Sequence, residues 1–419
     1  MTALTLSSAL RLRARLPSRS PVLIDAHGQL TAADLLDLAR DGDRAEPDPE
    51  LDAQDAGMQE AGHVRLRPGP LREILAAAAA PGVRRIAVRS SGTTGSPRSL
   101  ARGPLSVPQL ALGLELAHRL GMRPGRTIAC AAPGEHGHGL SAAAGALALG
   151  MVLVDVSRLT MPAAHALLRS TAPDLITGVP VHLLDLARSG PLPIPRAISG
   201  SDVLTTSMRK ELLAAGIGRV HDVYGTTETG SLCVDGVPLP GVRIREHDGL
   251  LAVRSPFTEG RTIITDRGRI GPDGPVEVTG RADGRVSSGG LLHDPGAVRD
   301  HIAGLPGIAA VRIEVVPDPR FGARTRGRIR IDPAHPGADG GGDATELIGR
   351  VRKEVRERFG AAAVPREIVL DPPPPTDAEQ VSPPGTDPSP EAGRGPGTDP
   401  GSGQRGAAVS TPAGTPGPP

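Results

Sequence analysis

Short apolar runs alternate with longer amphipathic stretches through the middle of the chain. "RRIAV" ends at Val88, and "TIACAAP" (127–133), "MVLVDV" (151–156) and "DLITGVP" (174–180) are further runs of strand length. Between them lie helix-like segments. "PQLALGLELAHRLG" (108–121) carries Leu110, Leu114, Ala117 and Leu120 on one predicted face and Gly121 as its stop, and "VHLLDLARSG" follows the third long run. "TTSMRKELLAAG" opens with threonines suited to capping and ends at a glycine. Strand and helix in alternation predict an α/β fold with a largely parallel sheet.

The pattern changes after Gly230. "GVRIREHDGLLAVRSP" and "GRIGPDGPVEVTGRADGRV" are short β runs joined by Asp-Gly turns, so hairpins replace βα units. A last helix, "ATELIGRVRKEVRERFG", leads into the strand "REIVL". From Ser382 onward Val409 is the single branched aliphatic or aromatic residue, and this Pro/Gly-rich stretch has too little apolar surface to fold. The expected organisation is therefore a large N-terminal α/β domain (1–282) with mainly parallel sheets and a β-hairpin subdomain. A small α+β C-terminal domain (283–371) follows, then a disordered tail (372–419). The acidic stretch 41–63 reads as a loop.

Composition narrows the function classes. The formal net charge is +1, which gives no footprint for nucleic acid. Lysine occurs only at 210 and 353, so arginine clusters can reflect codon bias and carry little weight by themselves. Two isolated cysteines, Cys130 and Cys233, fit a reduced, cytoplasmic protein. The first twenty residues are arginine-rich and acid-poor like a transit peptide but have no secretory apolar core, and read as an ordinary segment. The longest uncharged run, 139–154, is too short and glycine-broken for a membrane span.

Two short stretches carry candidate chemistry. "SSGTTGSPR" (90–98) offers backbone N–H groups, hydroxyls and an arginine to a polyphosphate, without the GK[ST] of a Walker loop. "VYGTTETG" (223–230) contains the one tyrosine of the chain, a flat ring beside a glycine, suited to stacking on a base. A rival lies in "GHGLSA" (137–142), which fits the G-x-G-x-x-A dinucleotide pattern, with Asp155 at the end of the next apolar run. No GxSxG elbow, HExxH or cysteine cluster occurs.

Together these motifs resemble the adenylate-forming (AMP-binding) superfamily, in particular its acyl-CoA synthetases. Residues 90–98 match the family's [ST]SG[ST]TGxPK, with Arg98 in the lysine's place. Tyr224 to Glu228 match YGxTE, and Asp266, Arg281 and Asp283 match the TGD and GRxD signatures, over roughly residues 84–370. The resemblance implies ATP, Mg2+ and CoA as cofactors. It assigns nucleotide contacts to Ser90, Ser91, Gly92, Thr93, Thr94, Gly95, Gly200, Ser201, Tyr224, Gly225, Thr226, Thr227, Asp266 and Arg281. Glu228 and Thr93 would bind the metal, Asp266 would accept from the ribose hydroxyls, and Asp283 would sit at a hinge. The catalytic set it implies is Glu228, Arg98 and His136, the last by likeness of "EHGHGL" to the family's FHxxGL, with His138 second.

The implied partners are a small carboxylic acid and a thiol on CoA or a carrier protein. Two departures stand out. The stretch ahead of the glycine loop is shorter than the family's. The family's C-terminal catalytic lysine pairs best with Gln380, and Leu292 and Arg299 replace the arginine and glutamate usual after the hinge. The implied activity is acyl-adenylate formation followed by thioester formation. The alternative is a degenerate homologue that binds nucleotide or a partner without completing adenylation.

Overall fold

The computed structural model describes residues 6–15, 20–41, 63–83, 85–89, 99–102, 104–332 and 344–371. The glycine loop 90–98, most of the acidic stretch and the tail from 372 lie outside these residues.

A nine-stranded sheet organises the larger part. Its centre is six parallel strands in the spatial order Leu23–Asp25, Val152–Asp155, Thr127–Cys130, Leu175–Gly178, Arg196–Gly200 and Arg219–Thr226. Each edge is finished antiparallel, by Gly28–Leu30 on one side and by Gly230–Val234 with Val237–Pro238 on the other. Side chains alternate between the two faces of these strands. Ile128, Cys130, Leu153, Leu175 and Ile198 enter one apolar cluster, and Ala129, Val154, Ile176, Ala197 and Val220 the other. Helices cover both faces: Leu71, Leu75, Leu112 and Leu147 meet the first set, while Leu168, Leu183, Met208 and Leu212 meet the second. Burial on both faces explains why these runs are continuously apolar.

The predicted α/β class with mainly parallel strands is present, and so is the hairpin region. Arg243–His247, Leu250–Arg254, Ile263–Ile270 and Val276–Arg281 form a four-stranded antiparallel sheet. Asp248 and Gly249 both have positive φ (51° and 71°), the conformation a two-residue type I′ turn demands. The C-terminal part has a separate α+β core. Val298, Ile302, Ile329, Val351, Val355 and Phe359 pack helices Pro295–Ala303 and Ala344–Phe359 on strands Ile308–Asp318, Gly322–Ile331 and Glu367–Asp371.

Three details correct or sharpen the sequence reading. In helix Val107–Leu120 the buried side chains are Leu112, Ala117 and Leu120, and Leu114 is 60% exposed. The helix has apolar residues on nearly every other position, so the sheet, not the spacing, selects the face. The first twenty residues contribute a helix, Leu6–Arg15, whose Ala9 and Leu10 are buried. Finally, "GHGLSA" is no phosphate turn: helix Gly137–Ala148 begins at its first glycine. A Cβ at Gly139 would lie 2.3 Å from the Pro133 carbonyl, so that glycine serves close backbone packing. The Asp155 carboxylate is occupied by the Leu71 and Ser157 amides and the Ser157 hydroxyl, which removes the acidic residue of the dinucleotide reading. Among the described residues no helix is long and apolar enough to cross a membrane.

Candidate active site at the carboxyl edge of the central sheet

The strand order reverses beside Thr127–Cys130: the chain runs outward to Val152–Asp155, then returns to the other flank at Leu175–Gly178. In open parallel sheets the crevice outside the carboxyl ends at such a reversal is the usual ligand position. Here it is bridged by His138 from the first helical turn after Pro133–His136, whose Nε2 lies 2.8 Å from Thr177 Oγ1. Its Nδ1 is 3.5 Å from Ser201 Oγ, and a Cβ on Gly200 would lie 3.2 Å from the same ring. Burial holds His138 neutral, its pKa lowered to about 4, with His182 adding to the effect. His136 is instead the N-cap residue of the helix and makes no side-chain cap bond. Of the two candidate histidines, His138 is therefore the one that meets the predicted nucleotide residues Gly200 and Ser201. Ser201 has φ of 66°, a left-handed conformation that turns the chain away at the strand end.

The second part of the site is built where strand Arg219–Thr226 passes into its hairpin. Gly225 has no room for a side chain, because a Cβ would lie 2.3 Å from the Gly230 carbonyl. Thr226 and Thr229 hold the turn between them: each backbone amide reaches the other's hydroxyl, at 3.1 and 3.3 Å. Thr229, fully buried, also accepts at its carbonyl from Ser255 Oγ at 2.7 Å. This closed turn lifts Glu228 to an exposed position. Thr229 has no place in the predicted set. The TTET spacing was its signal, because hydroxyls three residues apart can close a turn on one another.

Tyr224 connects this turn to the hairpin sheet. Its hydroxyl donates to Asp266 Oδ2 at 2.7 Å and lies 3.0 Å from Thr265 Oγ1. Its ring packs beside Leu232, Cys233, Leu251 and Val253. Asp266 and Arg281 are direct partners across the ladder, and Arg281 Nη1 lies 3.2 Å from Asp266 Oδ1. That ion pair lacks hydrogen-bond alignment, so Oδ1 is buried without a hydrogen-bond donor among the described residues. Arg281 also grips Asp283, with Nη2 to Oδ2 at 3.1 Å.

These contacts set the charges. Burial raises the Asp266 pKa, while Tyr224 and Arg281 offset part of the rise and the nearby Asp283 and Glu228 charges add to it. For Asp283 burial again pushes up, but the Arg281 hydrogen bond and the Arg285 amide outweigh it and lower the value. Burial and the Asp266 carboxylate both raise the Tyr224 hydroxyl, so it stays protonated and remains a donor.

A neighbouring carboxylate gives a pH signature. Asp222, two residues before Tyr224 on the same strand, has its pKa raised from 3.8 to about 6, chiefly by burial, with Arg209 opposing and Asp235 reinforcing. A raised folded-state pKa favours the native state while the group is protonated, so this stabilisation is complete below the unfolded value and disappears as pH rises through about 6. A shift of that size corresponds to about 3 kcal/mol. Asp222→Asn is expected to be more stable than the parent at pH 7.5 and to lose this component of the slope between pH 4 and 6, read by denaturant melts across that range.

The small C-terminal part reaches the same edge. The turn Gly289–Gly290, between strands Val286–Ser288 and Leu291–His293, lies against Val181 and Val179, just past the end of strand Leu175–Gly178. Asp202, directly after Ser201, accepts from the Gly290 amide at 2.6 Å. Arg320 makes a bidentate pair with Asp185, at 2.9 and 2.8 Å.

The fit of the implied ligands can be judged from these side chains. A buried, donor-less Asp266 oxygen beside an arginine suits a pair of ribose hydroxyls. Glu228, with no hydrogen bond or ion pair among the described residues, supplies one hard oxygen donor. Among the same residues no group of three His, Cys, Asp or Glu could hold a metal unaided. Residues 90–98, including Thr93 and Arg98, lie outside the described residues. Their flanking strands Arg85–Arg89 and Ser99–Arg102 pair antiparallel, with Arg89 opposite Ser99, so the segment connects two adjacent strands.

Comparison with known proteins finds related sequences and a shared fold. Residues 87–272 match the family described as AMP-binding enzyme. A 4-coumarate–CoA ligase of Halorhodospira halophila is 30% identical over 259 residues, 60% of this chain and 63% of that protein. A probable 2-succinylbenzoate–CoA ligase of Mycobacterium tuberculosis is 28% identical over 324 residues, 68% and 78% of the two chains. The matched region thus spans somewhat under two thirds of the first relative. Among solved structures, an o-succinylbenzoate CoA synthetase of Bacillus subtilis superposes with a TM-score of 0.67 at 17% identity, covering 90% of this chain and 97% of that one. The amide bond synthetase McbA of Marinactinospora thermotolerans gives a TM-score of 0.66 at 17% identity with the same coverage. The overall fold is shared with both. The match of residues 87–272 to the AMP-binding enzyme family, with CoA ligases among the relatives, supports a place in the adenylate-forming superfamily.

Proposed function

We propose that this protein is an acid–thiol ligase of the acyl-CoA synthetase type. One carboxylate oxygen of the acid attacks the α-phosphorus of ATP, the bond to the β-phosphate oxygen breaks, and acyl-AMP and pyrophosphate result. A thiol then adds to the acyl carbonyl and AMP leaves, giving a thioester. The activation is needed because a free carboxylate has no adequate leaving group. The observation that carries this reading is the linked set Tyr224, Asp266 and Arg281, with Glu228 on the same turn, beside the carboxyl edge of the central sheet.

In this reading Tyr224 presents its ring to adenine while its hydroxyl fixes Asp266, and Asp266 takes the ribose hydroxyls. Bound Mg2+ would neutralise charge on the phosphates, held in part by Glu228. Neutral His138, whose Nε2 meets Thr177 Oγ1, would serve the acid's side, with His136 at the helix entrance as the other candidate. The named relatives are a 4-coumarate–CoA ligase and a probable 2-succinylbenzoate–CoA ligase, so their names give a carboxylic acid and CoA. By that likeness we assign a carboxylic acid as substrate and CoA as acceptor. A reduced cytoplasmic setting suits the two cysteines: both are free and buried, with thiol pKa values pushed up to about 12 mainly by burial.

Gln380 favours a second reading, a nucleotide-binding homologue with a weakened first step. Carboxylate-dependent exchange of labelled pyrophosphate into ATP, across fatty, aryl and amino acids, distinguishes the two. Exchange with at least one acid is expected. Tight ATP binding with no exchange for any acid in the panel would instead establish the second reading.

A further inference from the structure

Three imidazoles gather at the carboxyl edge of the central sheet, on two helices that start there. His136 and His138 stand at the entrance of helix Gly137–Ala148. His182, which no sequence motif marks, lies in the first turn of helix Pro180–Ser189, just past strand Leu175–Gly178. The rings act on one another: His182 helps to hold His138 neutral. For His182 itself burial lowers the pKa most, Asp185 opposes, and His136 adds to the lowering.

The three are not equivalent in hydrogen bonding. Thr177 Oγ1 gives its proton to the Ile198 carbonyl at 3.3 Å, so it accepts from His138 Nε2 at 2.8 Å. His138 Nδ1 then turns its lone pair toward Ser201 Oγ at 3.5 Å. That ring is committed to the protein on both sides. His182 is not. Its Nδ1 is buried without a partner, and neither ring nitrogen has a hydrogen bond among the described residues. His136 likewise makes no side-chain hydrogen bond among them. A neutral imidazole carries one donor and one acceptor, and leaving both unmade at a half-buried position is a cost that a bound ligand removes.

The carboxylates flanking these residues in the chain already have partners. Asp185, one turn further along the helix, is held by Arg320 in its bidentate pair, and Glu135, next to His136, is held by Arg158. Asp202 takes the Gly290 amide at 2.6 Å. The Gly289–Gly290 turn also packs closely on the start of the helix that carries His182. A Cβ on Gly290 would lie 2.9 Å from Val179 Cγ1, and one on Gly289 3.4 Å from Val181 Cγ1. This covered corner therefore offers two uncommitted imidazoles, His136 and His182.

We propose that His182, together with His136, is the specificity-determining group of the acid site, and that the substrate is a short dicarboxylic acid. One carboxylate is activated, and the second accepts N–H hydrogen bonds from the two imidazoles. A carboxylate also favours the charged form of the rings it meets, so its own charge is answered without an arginine. A hydroxyl in the same place makes a neutral bond, which is the weaker kind. This rests on the ligase reading above and names its substrate class.

Calorimetric titration of the full chain, with the non-cleavable α,β-methylene analogue of ATP present, tests the proposal. The probes are malonate, succinate and glutarate, the monoacids of equal length, and 3-hydroxybutanoate. At least one diacid is expected to bind the parent roughly tenfold or more tightly than its monoacid. His182→Phe keeps a flat ring without nitrogen, and its folding is checked by circular dichroism. It is expected to abolish that preference while monoacid binding stays within about threefold. His182→Gln keeps an N–H donor and should restore part of the preference. In pyrophosphate exchange the loss should fall on KM for the diacid, with kcat nearly kept. A parent that binds no diacid more tightly than its monoacid, the same preference in His182→Phe, or 3-hydroxybutanoate bound more tightly than every diacid overturns the proposal. Exchange that runs equally on monoacids and diacids sinks this proposal and leaves the ligase reading standing. Diacid binding that depends on His182, with no exchange for any acid, sinks the ligase reading and leaves the diacid site.

Discussion

Glu228→Ala is expected to reduce carboxylate-dependent pyrophosphate exchange on the order of 10²–10³-fold, the typical result of deleting one well-placed electrostatic group. The folded protein should hardly notice. Glu228 is exposed, and the turn that presents it is held by Thr226, Thr229 and Ser255 rather than by its own side chain. Surface changes of this kind usually shift stability within about 0.5 kcal/mol. Raising Mg2+ should recover part of the lost rate in Glu228→Gln, which keeps one oxygen donor, and none in Glu228→Ala. A melting temperature lowered by many degrees would mean that the turn depends on the carboxylate. Unchanged exchange would remove Glu228 from the metal's surroundings. Removal of its charge would also relieve Asp266, whose raised pKa owes part of its rise to Glu228.

Gln380→Lys is expected to act in the opposite direction, raising the exchange rate by about 10²–10³-fold. Position 380 lies outside the described residues, so this expectation rests on its pairing with the family's catalytic lysine. An amide can donate hydrogen bonds, but it carries no positive charge to meet the negative charge that builds between carboxylate and α-phosphate. A lysine supplies that charge. The second half-reaction, conversion of supplied acyl-AMP to thioester, should change little. An equal gain in both half-reactions would show that the lysine alters substrate binding in general. No gain in either would mean that residue 380 does not reach the reacting groups.

Much of the fold can be traced directly to local patterns. Continuous runs such as "MVLVDV" and "DLITGVP" became strands buried on both faces, and Thr205 capped its helix with a 3.2 Å bond from the Met208 amide. The Asp248–Gly249 turn needed only its two residue types. The candidate site divides differently. Tyr224 to Glu228, Asp266 and Arg281 were legible because their residue types and order are unusual. Their convergence was implied by the family resemblance and by no local pattern, because Tyr224 and Asp266 are 42 residues apart and meet only after a hairpin sheet has folded. The family resemblance put His136 ahead of His138, and the sequence held nothing to reverse that order. Both are near a helix start, and only the packing of that helix on the sheet turns one ring toward Thr177.

By itself, then, the sequence determined the succession of elements, the hairpin turns and the residue types available for nucleotide chemistry, since each depends on neighbours a few positions away. The tertiary structure decided which face of helix Val107–Leu120 is covered and that "GHGLSA" is a helix start rather than a phosphate turn. Among the described residues it also decided which arginines meet a carboxylate, as Arg320 meets Asp185 and Arg366 meets Asp318. Those outcomes depend on burial and on partners distant in the chain, and both exist only once the sheet and its helices have closed on each other.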